Sequence, residues 1–342
     1  MKRDLNKRMT GKTGILLAIL GLLTALHCAA PTQSQVSDWP GYLEEDPAVE
    51  VRTFSLHNRN QLPIPDGKSS YHQQGMQRLA DGGWAVSGSD EEYGYLYFTD
   101  AEGTIHTKFT VPTDLNLSGS AADLKYNHPG GFQIIGNVLA VGIENTDLRK
   151  ESYARVVLLD ISDPRAPQHL PHLDIVREAE AGKIMSAGAV GITELEDAYL
   201  ITVGNWDSRR FDFYRTSSKD LQDPATRVSA CLGSWIPGED GNSYQNFNLY
   251  VNSAEALYGV GLYSVDRTRH WADFFRLDIS DWENIRHQGK RAVEYRGGEE
   301  EARFVHAAGS RLDPATSRLE VFSTEAHAHD GVVRCNVWSD KQ

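Results

Sequence analysis

A short stretch of this chain occurs five times. Tyr71-His72-Gln73-Gln74-Gly75-Met76-Gln77 comes back as Asn127-His128-Pro129-Gly130-Gly131-Phe132-Gln133. It returns more loosely as Ser186-Ala187-Gly188-Ala189, as Tyr244-Gln245-Asn246-Phe247 and as His306-Ala307-Ala308-Gly309. A recurrence of about 60 residues constrains the fold more than any composition does, because each unit must bury its apolar face against the next.

Within each unit apolar residues alternate with period two in short runs, separated by turn residues. The first unit predicts strands near 72–79, 83–89, 93–100 and 104–111, with Asp81-Gly82-Gly83 and Asp100-Ala101-Glu102-Gly103 as hairpins. The second predicts 130–136, 138–143, 154–161 and 168–176. The third predicts 187–195, 198–204, 210–217 and 226–236, and the fourth 246–252, 256–262, 272–279 and 289–295. The fifth has only 304–312, 318–324 and 331–338. Residues 50–57 form a further strand ahead of the first unit, with no unit of their own. The economical solution is a ring in which 50–57 completes the last sheet. The expected fold is therefore an all-β, five-bladed β-propeller with four antiparallel strands per blade, covering 50–342 as one domain. Closure protects edges that an open array would expose.

Two third strands end alike. Val156-Val157-Leu158-Leu159-Asp160-Ile161-Ser162-Asp163-Pro164-Arg165-Ala166-Pro167 resembles the LVIVD-type repeat of bacterial propeller proteins, and Phe274-Phe275-Arg276-Leu277-Asp278-Ile279-Ser280-Asp281 resembles its first part. The resemblance implies a propeller outside the cytoplasm and no settled chemistry. Read by residue type alone, the apolar run is a buried strand, and Asp-Ile-Ser-Asp-Pro starts a turn through its side chains.

Residues 1–30 read as an export signal: Lys2, Arg3, Lys7, Arg8 and Lys12, then the apolar run Gly14–Leu26, then His27-Cys28-Ala29-Ala30. Cleavage after Ala30 and lipid attachment at Cys28 are both open, and 31–49 reads as a linker. The expected location is extracytoplasmic: periplasmic, secreted or lipid-anchored. Residues 1–28 hold five basic residues and one acidic, so residues 29–342 carry 29 basic against 46 acidic, a net charge of −17. Such a surface repels nucleic acid, and a membrane is reached only through an anchor at Cys28. Cys231 and Cys335 fall on different units, too far apart for a disulfide, and are expected as two buried, unpaired thiols.

Antiparallel connectivity collects chemistry on one rim. The starts of the inner strands bring His72, His128, Ser186, Tyr244 and His306, each three residues before Gly75, Gly131, Ala189, Phe247 or Gly309. The ends of the second strands bring Asp90, Glu144, Asn205, Asp207, Asp266 and Glu325, and the last loop adds His327, His329 and Asp330. Three readings stand for His72, His128 and His306. They are structural imidazoles filling the axis, or acid–base groups oriented by Glu144 or Glu325 with Tyr244 as a proton donor, or ligands of a divalent metal, the one candidate cofactor. Gln77 and Gln133 occupy matching positions and are expected to hold the axis together.

Arg149, Arg209 and Arg267 lie in rim loops and suit a carboxylate or phosphate. The alternative is pairing of these loop cations with Asp147, Glu151, Asp207, Asp212 and Asp266 beside them. Tyr93, Tyr95, Trp206, Tyr244 and Trp271 suit stacking on sugar rings or packing under loops. No Gly-x-Ser-x-Gly elbow, phosphate loop, Cys–His zinc spacing or EF-hand loop is present. Two functions are expected. One is a hydrolase or lyase acting on a polar or anionic saccharide-like substrate, with His72, His128, His306, Tyr244, Glu144 and Glu325 catalytic and Arg149, Arg209, Arg267, Trp206, His327 and His329 binding. The other is a non-catalytic propeller holding a protein or glycan on the same rim.

Overall fold

A computed structural model describes residues 49–62, 72–90, 93–112, 126–145, 154–177, 185–205, 208–251, 256–265, 269–282, 285–294, 304, 306–313 and 318–340. The export signal, Cys28 and the linker lie almost wholly outside them. Within them the fold is all-β, built of curled antiparallel sheets.

After β1 (Val49–His57), the strands β2 (Gln73–Arg78), β3 (Trp84–Ser89), β4 (Gly94–Thr99) and β5 (Ile105–Thr110) form a meander. Next come β6 (Tyr126–Ile135), β7 (Val138–Asn145) and β8 (Ala154–Asp160), with two short strands, β9 (Gln168–His169) and β10 (Ile175–Arg177), both on the outer edge of β8. They are followed by β11 (Ala189–Glu194), β12 (Tyr199–Gly204), β13 (Phe211–Arg215) and β14 (Gly233–Trp235). Then come β15 (Asn246–Val251), β16 (Leu257–Ser264), β17 (Arg269–Leu277) and β18 (Arg286–Glu294). The last strands are β19 (Ala307–Leu312), β20 (Leu319–Thr324) and β21 (Val332–Asp340).

β1 pairs antiparallel with β21 along its whole length, Leu56 opposite Val333 and Val51 opposite Trp338. Leu56, with no exposed surface, packs in one cluster with Phe322, Val333 and Val337 on one side and Met76, Trp84 and Val86 on the other. The innermost strands β2, β6, β11, β15 and β19 adjoin one another in that order, and β19 returns to β2 through the parallel pair Ala308–Gly75. Between each meander and the next lies an apolar layer. Phe98 and Leu96 meet Phe132 and Val157, for instance, and Val260 and Phe274 meet Val321 and Trp338. Burying such layers supplies the driving force that no single sheet has alone.

The repeated small residue explains how the inner strands come so close. A Cβ on Gly309 would stand 1.7 Å from the Met76 carbonyl oxygen, and one on Gly131 would stand 2.2 Å from that of Gln245. Buried amides then fill the middle. Gln77 Nε2 donates to the Phe132 carbonyl at 3.0 Å and to Asn248 Oδ1 at 3.2 Å. Gln133 Oε1 accepts from the backbone N–H of Ile192 at 2.9 Å and of Leu249 at 2.8 Å. Both glutamines thus act as cross-links between inner strands. The two Asp-Ile-Ser-Asp stretches make the same turn, with Asp160 Oδ1 accepting from Ser162 N at 2.8 Å and Asp278 Oδ1 from Ser280 N at 2.9 Å.

Three expectations change. The outer strand at 168–176 is broken into β9 and β10 by a 3₁₀ turn at Pro171–Leu173, since Pro171 has no N–H to extend the ladder. The strand expected at 226–236 shrinks to Gly233–Trp235 plus a single bridge from Val228 to Thr216. There the Ser217 and Ser229 hydroxyls take the N–H groups of Arg227 and Arg215, at 3.0 and 3.1 Å, in place of ladder carbonyls. In consequence Cys231 leaves the sheet and is exposed, so only Cys335 is the buried thiol expected. Both are unpaired.

Candidate functional site

Sequence-distant imidazoles meet at the starts of the inner strands. His72 immediately precedes β2, His128 lies in β6, and His306 immediately precedes β19. The His72 ring meets that of His128 at 5.8 Å and that of His306 at 5.2 Å between centroids, both edge to face. The loop between β20 and β21 is tied in by Gln73 N donating to the Ala326 carbonyl at 2.9 Å, and by Thr324 Oγ1 donating to Gln73 Oε1 at 2.8 Å. That tether brings His327 into the electrostatic reach of His72. His72, His128, His306 and His327 are all half-buried, so the group has a solvent side.

A β-bulge sets the centre. Register slips between Gln73 and Gly75, which leaves Gln74 unpaired in the ladder and turns its side chain toward the imidazoles. Gln74 Nε2 lies 2.6 Å from His72 Nε2 and 3.0 Å from His128 Nε2. An amide nitrogen only donates, so both rings accept at Nε2 and carry their proton on Nδ1. Burial and the neighbouring His327 lower the His72 pKa. Burial, with His72 second, pushes His128 down to about 4. Both rings are therefore neutral near pH 7. His128 has moved well away from the working range of a general base, and His72 is the more accessible to a proton.

The acidic candidates are placed differently. Glu144 stands opposite His128 in the ladder, is 1% exposed, and its Oε1 accepts from the Ala187 N–H at 2.7 Å. Glu325, 2% exposed, accepts from Arg334 through the backbone N at 2.7 Å and through Nε at 3.2 Å. Each carboxylate thus supports local backbone. Tyr244 is 2% exposed among Phe211, Phe247 and Phe275, and its hydroxyl donates to Asp273 Oδ2 at 2.7 Å. Burial first, and the Asp273 charge second, raise its pKa. No contact joins Tyr244 to the imidazoles among the described residues.

The binding candidates are partly in view. Arg209 is exposed beside Ser208, whose φ is 54°. His329 sits in the turn into β21, its backbone bonded both ways to Val332. Tyr95 is buried and Trp271 half-buried, as packing requires, while Tyr93 is 47% exposed. Arg149, Trp206 and Arg267 lie outside the described residues. Among the described residues no three His, Cys, Asp or Glu side chains are arranged to hold a metal ion.

No protein-family model matches the chain, and no curated protein matches it. Solved structures resemble it at low identity. A GH93 α-L-arabinofuranosidase of Fusarium graminearum, solved with arabinobiose, is 8% identical with a TM-score of 0.48, covering 83% of this chain and 97% of its own. An α-L-arabinanase of Penicillium chrysogenum, also with arabinobiose, is 7% identical with a TM-score of 0.45, covering 85% and 98%. A GH32 β-fructofuranosidase of Bombyx mori is 12% identical with a TM-score of 0.41, covering 78% and 59%.

Two features escaped the sequence. Gln74 sits inside the repeated stretch, yet only a bulge aims it inward, and a bulge leaves no clear mark in one sequence. Arg177 ends a short outer strand with an entirely buried side chain, which nothing in its neighbours signals.

Proposed function

We propose that this is an exported five-bladed β-propeller, related to the LVIVD-type repeat proteins, that acts as a hydrolase or lyase on a polar, saccharide-like substrate at the histidine-lined mouth. The blade count rests on the cyclic order of the inner strands and the β1–β21 pairing. The observation that carries the activity is the meeting of His72 with both His128 and His306 around Gln74. His72 is the proton acceptor in this reading. A substrate hydroxyl or an acidic C–H replaces the Gln74 donor at Nε2, and the flanking rings hydrogen-bond to sugar hydroxyls. No step runs through a metal.

The test is to incubate the purified protein with a panel of neutral and uronic-acid oligosaccharides. Reducing ends report hydrolysis, and ultraviolet absorbance reports an unsaturated lyase product. Cleavage that His72→Ala abolishes, while His329→Ala retains it, supports the assignment. Cleavage that persists in His72→Ala overturns it.

One observation favours a second reading, a non-catalytic glycan- or protein-binding propeller. Glu144 and Glu325 are engaged by backbone N–H groups, so neither is poised as a partner acid. Saturable binding to the panel with no cleavage of any member would select that reading.

A further inference from the structure

β16 and β17 run antiparallel, and Ser264, the last residue of β16, stands directly opposite His270 near the start of β17. The next step along this ladder is a bonded one, since the Val265 N–H donates to the Arg269 carbonyl at 3.0 Å. Bonded and non-bonded pairs alternate along an antiparallel ladder. Ser264 and His270 are therefore a non-bonded pair, the kind that brings facing side chains closest. Ser264 Oγ lies 2.5 Å from His270 Nδ1. A neutral imidazole offers one lone pair, and with the hydroxyl as donor that lone pair is on Nδ1.

The surroundings treat the two residues differently. Every residue of β16 is buried except Ser264, which is half-buried where the strand ends. His270 is 2% exposed and is held by aromatic packing. Its ring meets Phe304 edge to face at 5.4 Å, and Phe304 meets Trp338 at 5.3 Å. A ring fixed in this way presents the same nitrogen to the hydroxyl without further ordering. The hydroxyl is the accessible member and the imidazole the enclosed one, which is the arrangement of a nucleophile and its base.

We propose that Ser264 and His270 form a second reactive centre, an acyl-transfer site that takes small carboxylic esters and does not depend on the function proposed for the imidazoles at the mouth. Ser264 Oγ attacks the acyl carbon, and its proton passes to His270 Nδ1. The bond from the acyl carbon to the alkoxide breaks as that proton is handed on, which leaves an acyl-serine and a free alcohol. Water then attacks the acyl carbon, the carboxylic acid departs, and the proton that water yields returns through Nδ1 to Oγ. Esters suit the pair better than amides because an alkoxide is the better leaving group. The contact is made across a ladder and not at a nucleophile elbow, so no sequence motif marks it.

An alkyl fluorophosphonate tests this without any saccharide. The bond from Oγ to phosphorus forms, fluoride leaves, and the hydroxyl proton goes to His270. Peptide mass spectrometry of the intact, folded protein should place the adduct on Ser264, and urea-unfolded protein should form none. Ser264→Ala should lose the adduct, and His270→Gln should slow its formation by about a hundredfold. The folded parent should also release p-nitrophenol from p-nitrophenyl butyrate faster than Ser264→Ala does. The proposal is overturned by no adduct on Ser264, by an adduct that forms equally after unfolding, or by ester turnover that Ser264→Ala leaves unchanged. An adduct that His270→Gln forms at the parent's rate, with native circular dichroism, overturns it too. Because His270→Gln could fail to fold, the adduct on the parent and the Ser264→Ala comparison carry the test.

Discussion

His72 and His128 meet edge to face with ring centroids 5.8 Å apart, and the two share one amide nitrogen of Gln74. Fifty-six positions separate them in the chain, so the contact reports how the first two sheets are set against each other. It also makes protonation of either ring unfavourable for both. The amide needs two acceptors, and a charged ring can no longer accept at Nε2.

Stability should therefore fall in acid through His128. Its folded pKa, about 4, lies below the ordinary 6.5, so the unfolded chain takes up the proton first. The contribution is complete above about 6.5 and is lost as the pH falls toward 4, with a total of up to about 3 kcal/mol. Urea unfolding at several pH values should show this slope, and His128→Gln should flatten it. An unchanged pH dependence in the variant would count against the buried, neutral ring.

Gln133 should be more important to folding than its polarity suggests. Its Oε1 accepts from β11 and β15, and its Nε2 donates to the Leu249 carbonyl at 2.8 Å. Gln133→Leu leaves two buried N–H groups without a partner, which should cost about 2–5 kcal/mol. Denaturant titration with the midpoint near that of the parent would show that water or a local shift replaces the side chain.

Gly309→Ala should be among the most damaging single-methyl additions. The new Cβ would stand 1.7 Å from the Met76 carbonyl oxygen, so β19 must withdraw from β2. A loss of about 3 kcal/mol or more is expected. Gly136→Ala is the control for bulk, since no atom lies within 4 Å of its Cβ position, although its φ of 54° carries a local strain of its own. Comparable melting temperatures for parent and Gly309→Ala would refute the close approach.

Leu56→Ala tests closure. Leu56 is fully buried where β1 meets β21 and the first meander, and truncation should cost about 3 kcal/mol. Phe54→Ala should add a smaller loss, since that ring stacks on Trp84 at 4.8 Å. If Leu56→Ala unfolded at the parent's denaturant concentration, this strand would not be contributing to the core.

Much of this was legible because period-two alternation and a repeated small residue are local signals with long-range meaning. The strand at 50–57 could be assigned to the last sheet by counting, and Gln77 and Gln133 by their matching positions. What could not be read is how a polar side chain is used once buried. Glu144 and Glu325 look like catalytic acids in sequence, and both are bonded to backbone N–H groups in the structure. Arg210, next to the rim-loop candidate Arg209, is paired with Asp212, one of the acids offered as partners for the loop cations. The exposure of Cys231 and the breaks in the outer strands come from serine side chains and Pro171 competing with the ladder. Those contests are decided by geometry rather than by pattern.

The pairing of β1 with β21 joins residues as far apart as Thr53 and Asn336, which share a 2.9 Å hydrogen bond. A strand made early thus has no partner until the last one has been synthesised. Until then two sheet edges stay unsatisfied, and a chaperone or a second nascent chain can compete for them. The step that joins beginning to end is also the step at which assembly is most exposed to error.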